Sequence, residues 1–179
     1  MTFLPTDFKV PDTSKYMKFS EGANKFRALD DAVIGVEYWT KEGEKKIPHR
    51  VEPGTNIPMR EVAINQYGNK SVAFFIAFPV WNYKSETVQI LVVKQKGVME
   101  SINNLAQDME WGDPQDYDIT VTQVKENGKI KYPSTTPSPK KPLTSQQKEA
   151  FKNTPVNMEA WMEGKDPFGE DIDPDEVKI

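Results

Sequence analysis

The segment Ser71 to Tyr83 (SVAFFIAFPVWNY) constrains this chain more than any other. It is rich in branched and aromatic residues, and the period-two alternation of a strand puts Phe75, Trp81 and Tyr83 on one face and Phe74, Ile76, Phe78 and Val80 on the other. Large aromatics on both faces exceed what a single core needs. Three further stretches have the same β character: Ala32 to Trp39 (AVIGVEYW), Thr87 to Lys96 (TVQILVVKQK) and Asp118 to Val124 (DITVTQV). Tyr16 to Leu29, with Tyr16, Phe19, Phe26 and Leu29 among cations, predicts a long, bent first strand.

Asn127-Gly128 is a strong hairpin signal, because both residues take positive φ at little cost; it joins the strand at 118–125 to a short one at 129–132. One helix interrupts the β pattern, where Val98, Ile102, Leu105 and Met109 recur at helical spacing from Gly97 onward. About five strands with a single internal helix predict a mainly β chain closed as a small five-stranded barrel, not a doubly wound sheet. Residues 40–70, carrying Lys41, Lys45, Lys46, Arg50, Arg60 and Lys70 among turn residues, read as an inserted hairpin or loop.

Seven of the fourteen prolines fall after residue 132, and KYPSTTPSPKKPLTSQQ reads as an extended linker, so the sequence divides into a domain at 1–143 and a tail at 144–179. Charge divides at the same place. Residues 1–143 hold 19 Lys and Arg against 18 Asp and Glu, a net of +1, whereas residues 144–179 hold 4 Lys against 9 acids, a net of −5. The overall charge of −4 therefore belongs to the tail and does not exclude a polyanionic partner for the rest. Within the tail, Thr144 with Gln147 forms a capping-box pattern, and Thr154-Pro155 predicts a second helix closing at Gly164. Its apolar residues Met158, Trp161 and Met162 suit either packing back on the domain or docking another protein.

With no cysteine, disulfides, thiolate metal sites and cysteine nucleophiles are excluded, and a single histidine, His49, excludes paired-histidine chemistry. The acids Glu110, Asp113, Asp116 and Asp118 suit a divalent metal, but a polar turn after a helix gives the same pattern. No glycine loop has nucleotide-binding spacing. No window approaches the roughly 18 apolar residues of a membrane span, and the N-terminus has no leader pattern, so a soluble cytoplasmic protein without a membrane partner is expected.

Single-stranded nucleic acid needs cations that meet phosphates and flat rings on which bases stack. The candidate rings are Tyr38, Trp39, Trp81 and Tyr83 at strand ends and Trp111 and Tyr117 after the helix; stacking is assigned to Tyr38, Trp39, Trp81 and Tyr83, and phosphate contact to Lys18, Arg27, Arg50, Lys94 and Lys96. On the strand at 87–96, Val88, Ile90 and Val92 share a face with Lys94 and Lys96, so that face turns from apolar to basic.

The ordered elements Tyr16-Met17-Lys18-Phe19-x-Glu21-Gly22-x-Asn24-x-Phe26-Arg27-x-Leu29, Gly35-x-Glu37-Tyr38-Trp39, Arg50, Val80-Trp81-Asn82-Tyr83, the strand from Gln89 to Lys96 and Trp111-Gly112-x-Pro114-x-x-Tyr117-Asp118-Ile119-x-Val121, followed by Tyr132, resemble the bacteriophage-type single-stranded DNA-binding proteins over roughly residues 16–143. The chain departs from that pattern at Val121-Thr122-Gln123, which lacks the expected arginine, in the length of the 40–70 insertion, and in its last residues, Val177-Lys178-Ile179. The resemblance implies an OB fold that coats single-stranded DNA during phage replication, recombination and repair, with no catalytic activity and no cofactor. It also implies that the acidic tail contacts replication or recombination proteins, here through Trp161, Phe168, Asp171, Asp173, Asp175 and Glu176. The tail's net charge of −5 further suits it to compete with phosphates for a cationic groove, and assembly as a homo-oligomer is left open by the sequence. The rival expectations are a structural or adaptor β domain that binds protein, and an OB-type sugar binder, for which the cations serve no purpose.

Overall fold

The computed structural model describes residues 3–6, 8 and 14–169. The protein is mainly β, with a mixed sheet of eight strands where the sequence predicts about five. The strands are β1 (Tyr16–Met17), β2 (Gly22–Ala28), β3 (Val33–Glu42), β4 (Lys45–Val51), β5 (Val72–Asn82), β6 (Thr87–Val93), β7 (Asp118–Glu126) and β8 (Lys129–Pro137). Among the described residues three α-helices accompany them, α1 (Lys96–Gln107), α2 (Ser145–Asn153) and α3 (Met158–Met162), with a single 3-10 turn at Pro114–Asp116. The hydrogen-bonded order β1-β6-β5-β2-β7-β8 is an open path, with β3 added beside β5 and β4 beside β3.

The long strand β5 organises the sheet. One edge pairs with β6 from Ile76 to Asn82; the other pairs first with β3, up to Ala77, and then with β2, from Val80. Pro79 sits at this change of neighbour. A proline breaks a central strand because it has no N–H to donate. Here its carbonyl accepts from Leu29 N at 2.9 Å, and the missing donor falls in the gap that β3 has left and β2 has not yet filled.

The long first strand expected over Tyr16 to Leu29 is broken in two. The Asn24 amide holds the break: it accepts from Ser20 N (2.9 Å) and donates to Ser20 O (2.9 Å) and Gly22 O (3.1 Å), while Gly22 turns at φ +95°. The short β1 then pairs parallel with β6, Tyr16 opposite Ile90 and Met17 opposite Leu91, which makes the sheet mixed. In the predicted insertion, β4 pairs with β3 as a hairpin from Glu42/Lys45 to Val36/Val51, and the chain from there to residue 71 is irregular, with turns and isolated bridges of Thr40 with Val62 and Ile64 with Lys70. The Asn127-Gly128 turn forms as predicted, with φ of +51° and +77°. Beyond it β8 extends to Pro137, so part of the expected linker is strand. Pro133 and Pro137 fit because β8 lies at the sheet edge.

Alternation in the strands separates two buried layers. One contains Phe26, Phe78, Val80, Leu91, Val93, Ile119 and Val121 and is closed by Val98 and Ile102 of α1. Met109 lies beyond the end of α1 and is fully exposed. The opposite face carries Phe75, Ala77 and Ile90 in one cluster and Leu29, Trp81 and Val88 in another. Residues 143–168 cover both: Met158 and Trp161 are buried on the first, and Leu143, Ala150, Phe151 and Val156 lie against the second. The contacts of the folded body therefore continue past residue 143. The Thr144–Gln147 capping box forms at α2, but α3 begins at Met158 rather than Pro155. Thr154 is spent closing α2, with its N–H on Ala150 O, and Asn157 caps α3 by accepting from Ala160 N at 3.0 Å.

Candidate nucleic-acid interface

The cations and rings singled out from the sequence do not form one cluster. β5 and β6 are antiparallel, so Lys94, just past Val93, lies at the end of the sheet opposite Trp81 and Tyr83. Two groups result, each built round a buried carboxylate.

Glu37 organises the first. Its side chain accepts from Arg50 Nε (3.3 Å), Trp39 Nε1 (3.2 Å) and the Lys94 ammonium. Arg50 also donates to Trp161 O at 3.0 Å, and its guanidinium lies 3.8 Å from the centre of the Trp161 ring. That ring meets Phe75 edge-on at 5.4 Å and donates through Nε1 to Tyr16 Oη at 2.9 Å. Arg50, Lys94, Trp39 and Trp161 are thereby engaged with one another or with Glu37. Tyr38, next along β3, points to the other face of the sheet and stacks on His49 at 4.8 Å and 13°. Lys96, at the start of α1, is exposed and pairs with Glu100 at 3.8 Å.

Asp118 organises the second group. It is fully buried and faces three cations: Lys141 at 2.9 Å, Arg27 at 3.4 Å and Lys25 at 3.5 Å. Tyr83 donates its hydroxyl to Asp118 at 2.7 Å and accepts from Gln147 Nε2 at 3.0 Å. Burial pushes the Asp118 carboxyl up, but the hydrogen bonds from Lys141 and Tyr83 and the charges of Lys141 and Lys25 outweigh it and hold the group below its ordinary value. Lys141 is raised correspondingly by its bond to Asp118. Burial, and then the Asp118 hydrogen bond, raise the Tyr83 phenol.

Arg27 itself is buried. Besides Asp118 it donates to the carbonyls of Gln115 and Lys141, so it anchors the 141 backbone. Trp81 is also buried, against Leu29 and Val88. Tyr83 is half-buried, with the Lys25 ammonium 4.5 Å and the Lys141 ammonium 5.9 Å from its ring centre.

Two open grooves flank this group. The first, about 450 Å³, lies between residues 14–25 and the β5–β6 turn and contains Lys18, Lys25 and Lys84 with one acid, Glu86. The second, about 560 Å³, contains Arg27, Lys140, Lys141 and Lys148 with one acid, Asp116. Sequence reasoning missed Lys25, Lys84, Lys140, Lys141 and Lys148 as phosphate contacts. The pair Lys140-Lys141 beside Pro142 was visible, but it fell in the stretch read as linker.

Of the tail residues expected to meet a partner, Trp161 is buried and Phe168 is half-buried on the same cluster. Asp171, Asp173, Asp175 and Glu176 lie outside the described residues. Of the acids in the pattern after α1, Asp113 accepts from Gln115 N and Asp118 is held by its cations, while Asp108, just before the pattern, accepts from Glu110 N and Trp111 N. No helix among the described residues is long and apolar enough to cross a membrane. No family model matches the chain, and no curated protein matches it.

Proposed function

We propose that this protein binds single-stranded DNA without sequence preference, on an OB-type sheet, and is not an enzyme. The observation that carries the reading is Tyr83: a half-buried ring, clamped through its hydroxyl to Asp118 and Gln147, with two lysine ammoniums beside it. A ring fixed in place loses little entropy when a base stacks on it, and adjacent ammoniums can turn to the phosphates on either side. The helix between β6 and β7 and the hairpin that follows it agree with an OB arrangement, as does the resemblance of residues 16–143 to phage single-stranded DNA-binding proteins. On that resemblance the protein acts in phage replication, recombination and repair inside the host cytoplasm, and its acidic end recruits replication or recombination proteins.

Exposed Ile34 and Phe74, on the face of the sheet carrying Tyr38, favour a second reading, a protein-binding adaptor. Titration with oligo-dT and with duplex of the same length, at two salt concentrations, separates the two. The DNA reading requires tighter binding to the single strand, weakening as salt rises. Replacing Tyr83 with Ala should cost about 1–3 kcal/mol of that binding, the usual size of a base-stacking contact. Equal affinity for duplex, or no response to salt, overturns it.

A further inference from the structure

We propose that the two grooves flanking Tyr83 form one continuous track for the phosphodiester backbone of a single strand, running past Lys18, Lys84 and Lys25 to Lys141, Lys140 and Lys148. This rests on the single-stranded DNA reading above and names the residues that hold the strand.

Continuity comes from Asp118. Lys25 lines the first groove and Lys141 the second, and their ammoniums contact the same carboxylate oxygen, at 3.5 Å and 2.9 Å. Two ammoniums this close repel unless a carboxylate lies between them. Asp118 therefore joins the grooves by keeping their two nearest cations side by side. It sits wholly beneath the surface, whereas the Lys25 and Lys141 side chains remain 40% and 47% exposed and can reach a ligand. Arg27 supports the junction from below through the Lys141 carbonyl, which makes it a positioning residue rather than a phosphate contact.

The charge balance points to a polyanion. Seven cations line the two grooves against Glu86 and Asp116, in a chain whose net charge is −4. The exposed cations are all lysines, compact point charges on flexible stems that suit a backbone of variable course better than the fixed fork of arginine. Hydroxyls of Ser14, Ser20 and Ser85 also border the first groove and suit phosphate or sugar oxygens.

The test uses the full chain, with Lys84→Ala and Lys148→Ala made singly and together, and Lys45→Ala with Lys46→Ala at the tip of the β3–β4 hairpin as the control. Lys84 and Lys148 are exposed and lie in different grooves, and unchanged thermal unfolding confirms that the fold is kept. The measurement is oligo-dT affinity as a function of salt. Each single variant should lower the salt slope by about 0.7 and the double variant by about 1.4, the value for one and two lost contacts to single-stranded phosphates. The control pair should keep the wild-type slope. If wild type binds oligo-dT but the double variant matches it, the track is wrong while the function stands. A loss from only one of the two grooves overturns continuity, and an equal loss in the control pair shows diffuse attraction instead of a track. If wild type does not bind oligo-dT, the DNA reading falls and the track with it.

Discussion

The Arg50 guanidinium sits 3.8 Å from the centre of the Trp161 ring and donates to the carbonyl of the same residue, a contact across 111 residues of sequence that ties β4 to α3. Trp161 is 1% exposed, wedged between this cation and the edge of Phe75, so the segment from α2 to Phe168 behaves as a third layer of the fold. Replacing Trp161 with Ala removes a buried ring, its bond to Tyr16 and the cover of Arg50. Loss of about 3–5 kcal/mol of stability is expected, the usual cost of truncating a buried aromatic, read as a lower urea midpoint. An unchanged midpoint would mean that α3 contributes nothing to the folded state.

A similar cost is expected at Trp81. The ring was attractive as a base-stacking platform because it shares a face with Tyr83, yet it is 4% exposed, against Leu29 and Val88 with Leu143 and Phe151 close by. Trp81→Ala should therefore destabilise the fold by about 3–5 kcal/mol, while Tyr83→Ala acts mainly on DNA affinity. Urea unfolding of both variants beside oligo-dT titration checks this. A Trp81→Ala protein of wild-type stability that binds DNA poorly would restore Trp81 as a platform.

The contrast between these two neighbours shows what the sequence could convey. Alternation correctly assigned the faces of β5, because side-chain direction in a strand is local: Phe75 and Trp81 do lie on one face, and Phe78 and Val80 on the other. What covers that face is not local. Met158 and Trp161 reach it from a segment that proline content marked as a linker and tail, and nothing in the period of β5 reports a helix some 80 residues away. The cations failed for a related reason. Arg27, Arg50 and Lys94 read as free positive charges, but the buried partners Asp118 and Glu37 hold them, and a carboxylate's burial depends on which strands lie side by side. Local signals survived: the Asn127-Gly128 turn, the Thr144–Gln147 capping box and the helical repeat of Val98 and Ile102 all appear where the sequence puts them.

Tyr117 provides an alkaline test of the core beneath α1. Burial, followed by the charges of Asp113, Asp108 and Asp116, pushes its phenol from 10.0 up to about 12. A folded-state value above the unfolded one means that the neutral phenol stabilises the fold, fully below pH 10.0 and progressively less as pH rises through about 12. Stability measured by denaturant midpoint should decline across that window in wild type. Tyr117→Phe, which also gives up the bond to Gly112 O at 3.1 Å, should decline less steeply. Parallel declines would place the alkaline sensitivity elsewhere.

Asp118 gives the complementary acid test and ties stability to the proposed track. Its folded value is depressed, so the unfolded chain takes up the proton first as pH falls. The stabilisation is therefore complete above the ordinary value of 3.8 and is lost as pH drops below it toward the folded value. Asp118→Asn should abolish that part of the acid dependence. At neutral pH it should also cost about 3–5 kcal/mol, the expected penalty for leaving buried Arg27 without its charged partner. The same substitution has an opposite electrostatic effect on DNA: one negative charge disappears from beneath Lys25 and Lys141, so the charge available to phosphates rises. Yet those ammoniums lose the carboxylate that holds them together, and like-charge repulsion should drive them apart. If positioning dominates, oligo-dT affinity falls in Asp118→Asn despite the added net positive charge, measured under conditions where the variant remains folded. Tighter binding would instead show that Asp118 limits affinity by neutralising the lysines, and that the two grooves act without needing a common anchor.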